Sequence, residues 1–89
     1  MSRTDNLTWH ARAAVDAQTA ALAHKTNGRL RWLADDPDCP DYMRMAALAE
    51  ELGEVGRALH DGDRDGLQTE LHQLAGVAIA WATALNPNP

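Results

Sequence analysis

Phenylalanine is absent from the 89 residues, isoleucine occurs once and valine three times. So little β-branched and aromatic material gives β-strands few of their usual side chains, whereas 17 alanines and 11 leucines favour helix. A single cysteine, Cys39, excludes an internal disulfide framework and fits a reducing compartment. Basic residues are scarce and scattered: eight Lys and Arg stand against 13 Asp and Glu, for a net charge of −5. No basic patch can be drawn, which argues against nucleic-acid binding. The first six residues are polar and no apolar signal region follows them. The longest uncharged apolar stretch, Leu74 to Leu85, has twelve residues, too short to span a bilayer and long enough for a buried helix. These absences lead us to expect a soluble, cytoplasmic protein with no membrane or nucleic-acid partner.

One domain over residues 1–89 is the default at this length. Such a chain buries only roughly 60–65% of its unfolded surface. Oligomerisation is one remedy for the marginal stability that results. Three helical segments are expected. The first runs from about Thr8 to Ala34, with Asp5, Asn6 or Thr8 as N-cap and a break or kink at Asn27–Gly28. A loop with two prolines, 35–40, leads to a second helix, capped by Asp41 and running to about His60. An acidic turn, 61–66, precedes a third helix that ends near Leu85. The expected fold class is therefore all-α, a bundle of three main helices.

Helical phase assigns the faces. Leu48, Leu52, Val55 and Leu59 form the expected core stripe of the second helix, with Glu51 at its edge, Glu54 further to the same side and Glu50 nearly opposite. Leu67, Leu71, Leu74, Ala78, Trp81 and Leu85 form the stripe of the third, with Glu70 beside it and Gln73 one turn along. Beyond Leu74 the third helix is apolar nearly all round and needs cover on every side, which points to a subunit interface. A carboxylate thus projects near the core from each of two antiparallel helices. Such a group is costly unless paired. Two pairings are open: a salt bridge to Arg44, Arg57 or Arg64, or a divalent cation such as Mg²⁺, which takes carboxylate and water oxygens and is usually shared with phosphates.

The string Leu48, Ala49, Glu50, Glu51, Leu52, Gly53, Glu54, Val55 resembles the E-E-x-x-E motif of MazG-like nucleoside triphosphate pyrophosphohydrolases. Fifteen residues separate Glu54 from Glu70, Leu71, His72, Gln73, which stands where that family carries E-x-x-D on the next helix. The apolar run from Leu74 to Leu85 is similar to the helix that follows in the family, and the likeness covers about residues 25–85. The resemblance implies an all-α bundle completed by dimerisation or tetramerisation. It also implies Mg²⁺-dependent hydrolysis of a (d)NTP to the monophosphate and pyrophosphate, the ion polarising the phosphates and helping to generate the attacking water. Carried over, Glu51, Glu54, Glu70 and Gln73 are metal ligands, and Glu50 with Glu51 belongs to the catalytic set. Lys25, Arg29 and Trp32 fall where the nucleotide is met, with Arg31 and Arg44 as further basic candidates. Gln73 departs from the family's Asp and brings no charge. That departure opens the alternative of a non-catalytic nucleotide- or protein-binding member of the fold.

Other features carry less. Asp61, Asp63, Asp65 and Gly66 match the opening of an EF-hand loop, but the position of its bidentate Glu holds His72, so the run reads as an acidic turn whose Asp65 helps start the next helix. His10, His24, His60 and His72 show no paired metal spacing. Trp81 reads as core, Trp9 as packing, and Cys39 as an inert thiol.

Overall fold

The computed structural model describes residues 2–26, 34 and 36–88, and for 21–26 the backbone alone. The described residues form three helices, α1 (Arg3–Thr26), α2 (Asp41–His60) and α3 (Arg64–Leu85). None is long and apolar enough to cross a membrane. α3 is the central element and packs against both others, while α1 and α2 lie on different sides of it.

Each helix start has a local cause. The Ser2 hydroxyl accepts from the Asp5 backbone N–H at 3.1 Å and donates to the Asp5 carboxylate at 2.8 Å, a reciprocal box that starts α1 earlier than the expected caps. At α2 the cap position is Pro40, without a side-chain bond, and Asp41 is the first helical residue. The Asp41 carboxylate turns instead to Arg44, at 2.8 Å, and to the Trp81 indole N–H, at 3.1 Å. α3 starts at Arg64 because Asp63 accepts from the Gly66 N–H at 2.9 Å. Asp65 sits in the first turn, where a negative charge suits the helix dipole. The acidic run thus forms a short turn and a cap, not a cation loop. Gly62 carries the turn with φ of 69°, a conformation that costs other residues a steric penalty.

Contacts along the helices give their directions. Asp41 meets Trp81 and Glu51 meets Gln73, so α2 and α3 are antiparallel, as expected. His10 meets His72 and Ala14 meets Gly76, so α1 runs parallel to α3. A Cβ at position 76 would sit 2.6 Å from the Ala14 carbonyl oxygen. Glycine there lets the two helix backbones approach.

The faces differ from the expected stripes. On α2, Leu52 and Leu59 are 60% and 63% exposed, while Arg44 and Ala58 are buried and Leu48, Glu51, Glu54 and Val55 half-buried. The helix has turned its small and acidic side toward α3. On α3, Val77, Ala80 and Gly76 are buried, and Leu67, Leu74 and Trp81 half-buried. Leu71, Ala78 and Leu85 of the expected stripe face solvent. Small residues allow close helix packing where they are buried, so the larger leucines are left outside. The fully interior side chains are correspondingly small: Ala14, Cys39, Ala58, Val77 and Ala80.

Arg44 ties the α2 start to the preceding loop. It is 6% exposed and donates to the Ala34 carbonyl at 2.7 Å, the Asp36 carbonyl at 2.8 Å and the Asp41 carboxylate. All three contacts hold the fold, and none leaves this guanidinium directed at a ligand.

Candidate functional site

Three side chains expected at the site converge across the α2–α3 hairpin. Glu51 comes from the third turn of α2, and Glu70 and Gln73 lie one turn apart on α3. All three are half-buried. The neighbours set the orientation of the Gln73 amide, because both are acceptors. With its nitrogen inward it donates to Glu51 Oε2 and to Glu70 Oε2, each at 3.1 Å. One neutral amide thereby bridges two carboxylates from two helices.

Electrostatics at this point favour a proton. Burial is the largest cause raising the Glu51 pKa, to about 6 from its ordinary 4.5. The negative charge of Glu70 and a hydrogen bond between the two carboxyl groups add to it, followed by the charges of Glu50 and Glu54. Two carboxylates that accept from one amide form a compact set of hard oxygen atoms.

Glu54 follows Glu51 by three residues on α2 and is half-buried. It pairs with Arg57 at 3.7 Å. That pair is partly exposed and so contributes little stability. Glu50 is exposed, as its helical phase implied, and acts on Glu51 only through its charge. Arg29, Arg31 and Trp32 lie outside the described residues, as does the side chain of Lys25. Among the described residues, no group of three or more His, Cys, Asp or Glu is already arranged around a cation position.

The residues present nevertheless fit a hard divalent cation by their chemistry. A cation would favour the ionised form that burial and neighbouring charge disfavour at Glu51. Gln73 would offer its carbonyl oxygen after rotation of the amide, and Glu54 would exchange a weak surface ion pair for the ion.

A second constellation escaped the sequence. His10 Nδ1 and His72 Nε2 lie 2.8 Å apart, one ring donating to the other, and Trp9 meets both rings edge-on with centroids at 4.8 and 5.8 Å. The two histidines are 62 positions apart, and only the parallel packing of α1 on α3 joins them. The small residues Ala14 and Gly76, one turn further along each helix, were the available sign of that packing. Comparison of the chain with protein-family models, with curated proteins and with solved structures finds no match.

Proposed function

We propose that the protein is a Mg²⁺-dependent nucleoside triphosphate pyrophosphohydrolase of MazG-like type, cleaving a (d)NTP to the (d)NMP and pyrophosphate. The observation that carries this reading is the convergence of Glu51 with Glu70 and Gln73 across an antiparallel hairpin, with Glu54 close by on α2. Glu51, Glu54 and Glu70, with the Gln73 amide oxygen, would hold the Mg²⁺. The ion, when bound, neutralises phosphate charge and polarises the anhydride. Lys25, Arg29 and Trp32 would meet the triphosphate and base, and a nucleotide substrate implies a cytoplasmic location.

Assembly belongs to the same proposal. Met45, Leu52 and Leu59 on α2 and Leu85 on α3 are exposed and supply apolar area for a homodimer or homotetramer.

A second reading rests on Gln73. A neutral donor that already satisfies both carboxylates suits a nucleotide- or protein-binding domain without turnover. Pyrophosphate release from a panel of nucleoside triphosphates, in wild type and Glu51→Gln, tests the enzyme. Turnover by wild type that the substitution abolishes is expected. Nucleotide-dependent thermal stabilisation without turnover supports the second reading.

A further inference from the structure

The face of α3 turned away from α2 carries an open groove of about 750 Å³, lined on α3 by residues from Arg64 to Ile79 and flanked midway by one turn of α1, His10 to Ala14. That volume is in the range of small-molecule sites. Its walls are mainly apolar, with Ala14 at its base and Leu71 and Ile79 exposed at 46% and 40%. Its charge is at odds with the rest of the chain. The molecule carries −5, yet none of the ten residues lining the groove is acidic. One is a cation, Arg64, which forms no ion pair or hydrogen bond among the described residues although Asp63 and Asp65 flank it. Gln68 lies one turn along from it on the same wall.

The His10–His72 pair lies in the wall partway along the groove. One of its four ring nitrogens donates and one accepts within the pair. In either tautomer, one outer ring N–H remains as a donor. The polar groups lining the groove are therefore a guanidinium, an amide and a pair of imidazoles bonded to each other. This arrangement is complementary to an anion with an apolar body.

We propose that the α1–α3 groove binds a free monocarboxylate with a long alkyl chain, its head group at Arg64 and Gln68 and its chain along Leu67, Leu71, Ala75 and Ile79. Length agrees with the assignment. The track from Leu67 to Ile79 is about 18 Å along the helix. An extended chain of carbon–carbon bonds of about 1.5 Å advances about 1.25 Å per atom, so a chain of roughly 14 carbons fills that span. The groove and the Glu51–Glu70–Gln73 cluster lie on different faces of α3, so this site does not depend on the proposed hydrolase activity.

Calorimetric titration of the full chain with decanoate and with myristate tests the proposal. One molecule per chain is expected, with myristate the tighter by tenfold or more. Arg64→Gln should weaken myristate by about tenfold, and Ala75→Phe, which fills the groove, should abolish binding while circular dichroism remains helical. Myristyl alcohol should bind about as weakly as myristate binds Arg64→Gln. Absence of saturable heat, equal binding by Arg64→Gln, or unchanged binding by Ala75→Phe overturns the proposal. So does light scattering in which Ala75→Phe alone converts an oligomer to a monomer, since the groove would then hold a second copy.

Discussion

Replacing Gln73 with Glu keeps the side-chain length and turns the bridging donor into a third acidic group. In the wild type the amide donates to Glu51 Oε2 and Glu70 Oε2 at 3.1 Å each. At about 3 Å and an effective dielectric of about 20, one fully ionised carboxylate pair repels by about 5 kcal/mol. The cluster will take up a proton before it accepts that cost. Keeping a carboxyl group of ordinary pKa protonated at pH 7 costs about 3.7 kcal/mol. The acid so formed can still donate one of the two bonds, so loss of the other adds about 1 kcal/mol or more. The site is half-buried, and screening reduces the net penalty to about 2–3 kcal/mol. In a domain of this size that lowers Tm by roughly 10–20 °C. The variant's folded pKa is raised above its unfolded value, so the penalty is present above the folded pKa and fades as pH falls toward about 4.3. Thermal melts followed by circular dichroism from pH 5 to 8 measure this directly. The Tm deficit should be largest at pH 7–8 and small at pH 5. Saturating Mg²⁺ at about a hundred times its Kd should restore about 2.7 kcal/mol. A Gln73→Glu protein with wild-type Tm at pH 7 and no pH dependence would refute the bridge between the two helices.

Three further outcomes are expected. With Glu51 raised to about 6 from 4.5, its contribution to stability is fully present below pH 4.5 and is lost as pH rises through about 6. Glu51→Gln should flatten that slope and add about 1 kcal/mol at pH 7 after screening, seen as a higher Tm. Arg44→Met removes three donated bonds from a buried position, and urea denaturation should show a loss of about 2–4 kcal/mol. Gly76→Ala pushes a methyl group against the Ala14 carbonyl and should cost about 1–3 kcal/mol, with greater hydrogen exchange in α1 than in α2.

Much of the fold was legible because its signals are local. Both ends of α2 and the C-terminal end of α3 follow from Pro40, the Gly62 turn and the change in composition after Leu85. The start of α3 was misplaced because an acidic run offers several possible caps, and only the Asp63–Gly66 bond selects among them. The inward face of α2 was not legible. Leu52 and Leu59 outweigh Ala58 and Arg44 in any hydrophobic pattern, and only tertiary contacts, such as those of Arg44 with Ala34 and Asp36, decide which of them are buried. Glu51, Glu70 and Gln73 were readable as a group, since i,i+3 spacing on two antiparallel helices brings them together. That Gln73 would act as a donor to both carboxylates was not, because it depends on the register between the helices. The His10–His72 pair depends on the parallel docking of α1, a long-range choice that no local pattern encodes.

We propose that Glu51, Glu54, Glu70 and Gln73 form the metal-dependent site of a nucleoside triphosphate pyrophosphohydrolase. Phosphorus NMR of wild type with Mg²⁺ and each common nucleoside triphosphate tests it most directly, because it resolves the products of every phosphate bond. Monophosphate and pyrophosphate should appear together, with neither formed by Glu51→Gln or after chelation of the metal. Unchanged triphosphate across the panel, or diphosphate with orthophosphate, would contradict it.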